Sequence, residues 1–289
     1  MWGVTVLIAS LGIVCLGAAR QTAPVAVAAD ARSIRPGELV VLTITTAAPA
    51  SAVRVRAFDR DLPAFAVDAR TWRVLVGIDL GTTLGTHNVA IEATVGSATE
   101  RALYPLAVKT RAFPTRKLTV DEAFVNPPPE ALERIERETK QLTAIWQSSA
   151  AKRLWDGPFV APVPDPANSA FGTRSILNGQ PRSPHGGADF RSPEGRPIKA
   201  PNAGRVVLAT NHYYTGNTVI IDHGLGLFSL FAHLSAMDVK EGQTIETGEE
   251  VGKVGATGRV TGAHLHWTVR ANGARVDPLS LLAVLGDAH

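Results

Sequence analysis

The histidines of this chain are concentrated in its C-terminal half, where they could hold a metal ion. Seven of the eight lie at positions 185–289. His185 and Asp189 are four residues apart, separated by two glycines and an alanine, and His264 and His266 flank a single leucine. Imidazole and carboxylate groups are zinc ligands, and a set of two histidines and one carboxylate leaves a fourth position open for water.

Extended backbone would bring these side chains together. Residues two apart in a strand point to the same face, so His264 and His266 would project into one site while Leu265 packs behind them. His185 and Asp189 would also share a face. Zinc lowers the pKa of a bound water and polarises a carbonyl, which suits hydrolysis. The spacing leaves open which of the two paired histidines is the ligand. The remaining histidines, with His233 at the end of an apolar run, could orient water, stabilise an oxyanion or move a proton.

The segments around these residues predict an antiparallel β domain over residues 156–285. Glycines separate short runs of β-forming residues, and Asn272-Gly273 is typical of a tight hairpin turn. The predicted strands are Gly204–Thr210, Thr218–Asp222, Leu227–Phe231, Glu250–Val254 and Leu265–Arg270.

The upstream chain has two further parts. Residues 24–110 alternate apolar and polar side chains in several short runs, which predicts an immunoglobulin-like β-sandwich without a catalytic constellation. Residues 120–155 form a predicted linker helix region. Three prolines precede a helical spacing from Glu130 to about Lys152, in which Leu132 and Trp146 lie on the same apolar side.

The first nineteen residues carry no charged side chain and contain an apolar run followed by small residues. This pattern predicts a secretory signal peptide over residues 1–19, with an uncleaved membrane anchor as the alternative. Cys15, the one cysteine, lies inside that run, so the exported chain would bind metal through histidine and carboxylate. We therefore expect a protein of the periplasm or cell envelope, with membrane contact only through an uncleaved N-terminal segment.

The composition is that of a globular protein, with 45% hydrophobic and 19% charged residues. The net charge is +3, and no dense run of lysine and arginine is present. Nucleic-acid binding is therefore not expected.

From Trp155 to Leu282 the sequence resembles the M23 (lysostaphin/LytM-type) peptidases. Several motifs of that family occur here in the right order. They are Phe171-Gly172, Pro184-His185-Gly-Gly187-Ala-Asp189, Ala200-Pro201, Gly216-Asn217, Ile221-Asp222-His223-Gly224, Thr257-Gly258-Arg259, Thr261-Gly262-Ala-His264-Leu-His266-Trp267 and Asp277-Pro278.

The resemblance implies one zinc ion per chain, held by His185, Asp189 and His266, with catalytic roles for His233 and His264. It implies an antiparallel β fold with a groove across the sheet, and peptidoglycan peptides as substrates, either glycine-rich bridges or direct cross-links and stems. Specificity is expected from the loops Thr173–Ser183 and His212–Asn217. Two positions depart from the family pattern. Phe231 stands where tyrosine is frequent, and Ala263 where proline is common.

Two other functions are compatible with these residues. Some members of the family have lost zinc ligands and only activate other wall hydrolases, so a regulator acting on an envelope partner is one alternative. A wall-binding structural protein is the other, although it leaves the histidine and aspartate set unexplained. A further hypothesis is that the upstream parts shield the groove.

Overall fold

The computed structural model describes residues 24–167 and 171–287, and its architecture is mostly β, which confirms the predicted fold class. The predicted signal segment, residues 1–19, lies outside the described residues. Within the described ranges, neither helix combines the length and the apolar character that a membrane crossing requires.

The N-terminal part is a sandwich of two four-stranded antiparallel sheets. Its strands are β1 (Val25–Asp30), β2 (Leu39–Thr46), β3 (Ala50–Ala57), β4 (Arg60–Leu62), β5 (Ala64–Ala66), β6 (Thr71–Gly77), β7 (Gly85–Val95) and β8 (Ala98–Val108). The sheets have the orders β1-β2-β6-β5 and β4-β3-β7-β8. Val40, Leu42 and Ile44 of β2 point into the core between the two sheets, as period-two alternation predicts.

The C-terminal part is built on a seven-stranded antiparallel sheet. The strands of this part are β10 (Arg174–Leu177), β11 (Gln180–Pro181), β12 (Ala188–Phe190), β13 (Pro197–Lys199), β14 (Gly204–His212), β15 (Gly216–Gly224), β16 (Leu227–Leu234), β17 (Ala236–Met237), β18 (Thr244–Ile245), β19 (Glu250–Lys253), β20 (Leu265–Ala271) and β21 (Ala274–Val276). The large sheet runs β12-β20-β16-β15-β14-β18, with β21 paired to β20. The β20–β21 turn has positive φ at both Asn272 and Gly273, which fits the predicted hairpin.

Helix α1 (Pro129–Gln147) packs on the face of this sheet that is opposite to the main core. Leu142, Ile145 and Trp146 pack on an apolar cluster that includes Phe228 and Leu230 of β16. Leu132, which was predicted to share this apolar side, is instead 51% exposed.

The helix also ends earlier than the predicted Lys152. The Asp222 carboxylate accepts hydrogen bonds from the Ser149 hydroxyl and the Ala150 backbone N–H, at 2.6 and 2.7 Å. These bonds draw the chain away from the helix axis and onto β15.

The hydrophobic core of the C-terminal part extends onto the outer face of β2 and β6 of the sandwich. The side chains of Leu39 and Val41 alternate with those that fill the sandwich, and together with Leu75 they join the core of the C-terminal part. Phe65 meets Trp155 edge to face, with ring centroids 5.7 Å apart. Because β2 is buried on both faces, the sandwich is packed directly onto the C-terminal part.

A short strand between the predicted units, β9 (Thr115–Leu118), joins the C-terminal part. It pairs in parallel with β10, in the register Arg116 opposite Ser175 and Leu118 opposite Leu177. A 3-10 turn, Glu122–Phe124, follows it. The chain ends in helix α2 (Pro278–Leu285), which Asp277 caps by accepting a hydrogen bond from the Leu279 N–H.

Candidate metal centre and groove

Strands β12 and β20 bring an aspartate and a histidine side by side. Asp189 lies opposite His266 in the antiparallel register, so both side chains leave the same face of the sheet. Trp267, the next residue of β20, is fully buried on the opposite face. Gly187 allows the chain before β12 to approach, because a Cβ atom there would lie 2.4 Å from the Trp267 carbonyl oxygen and 2.8 Å from the His266 ring.

Three potential ligand atoms converge at this point. Asp189 Oδ1 lies 2.9 Å from His266 Nδ1 and 3.1 Å from His185 Nε2, and the two imidazole nitrogens are 2.9 Å apart. His266 Nε2 lies 2.9 Å from the Thr268 hydroxyl. If that nitrogen donates its proton to Thr268, Nδ1 keeps a lone pair for a metal and the ring orientation is fixed. Two imidazoles and one carboxylate this close fit the donor set of a zinc site with an open position.

The protonation states also suit a cation. Burial would raise the pKa of Asp189, but contact with the His185 and His266 imidazoles outweighs it and holds the pKa far below its usual range. Burial lowers the pKa of His266, although Asp189 opposes the shift. At neutral pH the site therefore presents an anionic carboxylate and a neutral imidazole at His266, the forms in which these groups bind metal.

Two more histidines stand beside this cluster. The His233 ring centroid is 5.0 Å from that of His264 and 5.9 Å from that of His266. His233 Nδ1 is 2.9 Å from the Thr257 carbonyl and His264 Nδ1 is 2.8 Å from the Gly262 carbonyl, so each Nδ1–H donates to backbone and leaves Nε2 as an acceptor. Burial, together with the neighbouring His266 and His264, lowers the pKa of His233 to about 3, although the hydrogen bond to Thr257 opposes the shift.

His233 also has an unusual backbone conformation, with φ of 68°. This left-handed region is costly for a residue with a Cβ atom and is found most often at functional sites. The structure thus brings together all five histidine and aspartate residues singled out from the sequence. Their separate roles stay predictions, because distances alone do not assign chemistry.

The cluster lies in a groove of about 440 Å³ with walls from distant parts of the chain. One wall includes Arg116, Leu118 and Val120 of the segment around β9, and another includes Tyr214 and Arg259. The sequence did not predict that Arg116, Leu118 and Val120 line the groove. Strand β9 has four residues, and so short a pattern does not show that it pairs with β10. In the part of the chain that the structure describes, no sandwich residue lines the groove.

Phe231, which departs from the family pattern, faces the core and not the groove. It is fully buried, and its ring stacks on Trp267 with an interplanar angle of 12°. The missing hydroxyl therefore removes nothing from the histidine cluster.

His223, in the same sheet, has a structural environment. It is fully buried, with Nδ1 2.8 Å from the Ala203 carbonyl and Nε2 3.0 Å from the Ser229 hydroxyl. The ring therefore donates from Nδ1 and accepts at Nε2, as a neutral imidazole does. Burial lowers its pKa to about 4.

Protonation of His223 should therefore make stability pH-dependent. An unfolded histidine has a pKa of about 6.5, so the stabilisation from neutral His223 is complete above that value and is lost as pH falls towards the folded pKa. We expect a loss of about 2 kcal/mol in the free energy of unfolding between pH 7 and pH 5 from this residue. Urea unfolding of wild type and His223→Asn at both pH values isolates the contribution of His223 to the free energy of unfolding. Both proteins must be measured with the same metal content. Equal pH dependence in the two proteins would contradict this assignment.

Comparisons with known proteins agree with this geometry. Residues 183–278 match the model of peptidase family M23. A crystal structure from Pseudomonas aeruginosa, described as an M23 peptidase, superimposes with a TM-score of 0.68 at 33% identity, covering 87% of this chain and 96% of that one.

Curated relatives match over a shorter region. The peptidoglycan DD-endopeptidase ShyA of Vibrio cholerae is 42% identical over 97 residues, which are 34% of this chain and 23% of that protein. The DD-carboxypeptidase/endopeptidase Mpg of Neisseria meningitidis is also 42% identical over 97 residues, 34% of this chain and 22% of that protein. The matched region therefore spans less than a quarter of either relative.

Proposed function

This chain belongs to peptidase family M23, and on that premise we propose that it is a zinc-dependent endopeptidase that hydrolyses peptide cross-links or stem peptides of bacterial peptidoglycan. The observation that carries the proposal is the convergence of His185, Asp189 and His266 in a groove that also holds His233 and His264. The names of the relatives ShyA and Mpg support the substrate class. Such a substrate places the protein in the periplasm or cell envelope.

In this proposal His185, Asp189 and His266 hold one zinc ion per chain. The zinc supplies Lewis acidity, by which it activates water and polarises the scissile carbonyl. Asp189 contributes the negative charge of the ligand set, and Thr268 orients the His266 ring through its hydroxyl.

His233 and His264 manage protons and developing charge. Because both rings donate Nδ1–H to backbone carbonyls, Nε2 is the atom that can accept a proton in each. Once protonated, either Nε2–H can donate to the oxyanion that forms at the attacked carbonyl. Burial keeps His233 neutral, so its Nε2 carries a lone pair, whereas His264 is partly exposed at the groove.

Digestion of purified, cross-linked peptidoglycan tests the proposal. We expect the zinc-loaded protein to convert cross-linked muropeptide dimers to monomers, and His233→Ala to convert them at least about a hundredfold more slowly. Mass spectrometry of the released muropeptides measures this conversion and identifies the bond that is cut. His87→Ala, which changes a histidine of the sandwich, is the matched control and should retain wild-type turnover.

A different outcome would favour a different function. Wild type that binds one zinc per chain but releases nothing from several wall types would act as a non-hydrolytic regulator of other wall hydrolases. Wild type that binds no zinc and releases nothing would instead fit a structural envelope protein.

A further inference from the structure

The groove around the histidine cluster carries an excess of positive charge. Its lining contains four arginines, whereas Asp189 is the one acidic residue among the described residues that line it. Asp189 already contacts His185 and His266. The arginines, which come from four separate segments, are Arg116, Arg182, Arg191 and Arg259.

Arg259 is held beside the groove by Tyr214 and by its own backbone. Its guanidinium carbon lies 4.5 Å from the centroid of the Tyr214 ring, and its backbone N–H donates to the Tyr214 carbonyl at 2.8 Å. The preceding residue, Gly258, has φ of 76° and packs so closely on Gly216 that a Cβ atom would lie 2.3 Å from the Gly216 nitrogen. Stacking and backbone contacts therefore fix the guanidinium beside the groove.

The charge of Arg259 has no acid to neutralise it. Its guanidinium forms no ion pair with any residue in the described ranges 24–167 and 171–287. Burial lowers its pKa, Tyr214 raises it, and the positive charge of Arg182 lowers it further. A partly desolvated cation beside a second cation raises the free energy of the site, and binding of an anion to both lowers it.

Arg182 supplies that second charge. Its Nη2 donates to the Val125 carbonyl and to Gln180 Oε1, whereas its Nε is buried without a hydrogen-bond partner among the described residues. Glu122 is near enough for Arg182 to lower the pKa of its carboxyl group, after the larger effects of Asn178 and Asn126. No carboxylate of the described chain lies within 4.0 Å of the Arg182 guanidinium nitrogens, so its charge is not paired either.

We propose that Arg259, with Arg182 beside it, binds a free carboxylate of the substrate peptide. This inference rests on the proposed peptidase function and narrows its substrate class. It favours direct cross-links between stem peptides that carry free carboxylates over glycine bridges, whose residues have no charged side chain. A guanidinium matches a carboxylate with two parallel hydrogen bonds, which fixes orientation as well as charge.

The other two arginines of the groove have a weaker role. Arg116 and Arg191 are exposed, and Arg116 donates to the Ser175 hydroxyl at 3.2 Å. Solvated side chains attract anions over a distance that salt screens, but they do not fix a bound group in place. The preference for a carboxylate is therefore assigned to Arg259.

A matched pair of substrates tests this assignment. One is a purified cross-linked muropeptide dimer, and the other is the same dimer with its free carboxylates converted to carboxamides. We expect wild type to hydrolyse the acid form with a kcat/KM about tenfold to a hundredfold higher than the amidated form. Arg259→Gln should lose this preference by slowing only the acid form, with its rate on the amidated form within about twofold of wild type.

Arg54→Gln is the matched control, since it removes an exposed arginine of the sandwich and should keep the full preference. Equal hydrolysis of the two substrates by wild type would overturn the inference. So would an Arg259→Gln protein that loses rate equally on both substrates while its melting temperature matches wild type. Arg259→Lys, which keeps the charge but not the planar fork, should keep part of the preference.

A binding experiment separates this inference from the proposed function. Calorimetry with His233→Ala measures the affinity for each dimer while turnover is slowed at least about a hundredfold. Tighter binding of the acid form, lost in the His233→Ala/Arg259→Gln double variant, would support the carboxylate site even if wild type hydrolysed no substrate. Equal affinities for the two dimers would refute the site even if wild type proved to be a peptidase.

Discussion

Replacing His266 with alanine is expected to abolish stoichiometric zinc binding and to lower peptidoglycan hydrolysis by about a thousandfold or more. The metal is asked to supply several kcal/mol of transition-state stabilisation, and each 1.36 kcal/mol corresponds to a factor of ten in rate. Nδ1 of the His266 ring lies 2.9 Å from Asp189 Oδ1, and its Nε2 lies 2.9 Å from the Thr268 hydroxyl. The alanine variant therefore lacks one proposed zinc ligand, and Asp189, a second proposed ligand, loses a contact. Metal analysis of the dialysed protein and muropeptide release give the two readouts.

Parallel variants test the choice between the paired histidines. His264→Ala should keep about one zinc per chain, because His264 Nε2 lies 3.8 Å from Asp189 Oδ1, farther than His266 Nδ1 at 2.9 Å. It should nevertheless lose turnover, because it lacks the imidazole to which the proposal gives a catalytic role. When a chelator removes the zinc from wild type, its rate of hydrolysis should fall to that of His266→Ala and should recover when zinc is added back. Added zinc should not restore the rate of His266→Ala. If His264→Ala lost the zinc and His266→Ala kept it, the assignment of ligand and catalytic roles would have to be reversed.

Asp277→Ala is expected to lower the free energy of unfolding by about 3–5 kcal/mol, as removal of one partner from a buried ion pair does. The Asp277 side chain is fully buried, and its Oδ2 accepts from Arg32 at 2.8 Å and from Arg111 at 3.2 Å. The variant would leave both guanidinium groups facing Glu38 alone. It would also remove the cap of α2, a contribution of about 1 kcal/mol.

Urea unfolding of the full-length protein measures the effect of Asp277→Ala, with Asp61→Ala as the control. Asp61 pairs with Arg56 on the surface of the sandwich, with its side chain 87% exposed, and its removal should cost less than about 1 kcal/mol. A loss as small as this in Asp277→Ala would mean that the buried network does not hold the two parts together. Zinc content should be unchanged, because Asp277 does not line the groove.

These contacts bear on the idea that the upstream parts shield the groove. The sandwich is attached through Arg32, Arg111 and the core around Leu39, at a place that does not line the groove in the described structure. The upstream segment that reaches the groove is β9, which forms part of its wall. Its removal would take away part of the groove wall, so the shielding hypothesis stays a prediction that needs a variant other than a deletion of the whole upstream region.

The sequence by itself determined the type of fold and identified the histidine and aspartate residues that the structure brings together. Alternation in β2 and the Asn272-Gly273 turn depend on neighbouring residues only, and they occur where the patterns predict. The histidines and Asp189 are identifiable because seven of the eight histidines lie at positions 185–289, and because the motifs that contain these residues resemble those of the M23 peptidases. His264 and His266 lie two apart, so a single strand and the residue before it are enough to bring both to the site.

Tertiary structure alone decided what surrounds that site. Asp277 is part of a recognisable motif, but its partners Arg32 and Arg111 are 245 and 166 residues away in sequence. The same is true of β9 against β10 and of Arg182 near Arg259. Such contacts follow from how separate elements pack, and no local periodicity records them. The charge of Arg259 supports a binding role only because the fold stacks its guanidinium on Tyr214, with no ion-pair partner among the residues that the structure describes.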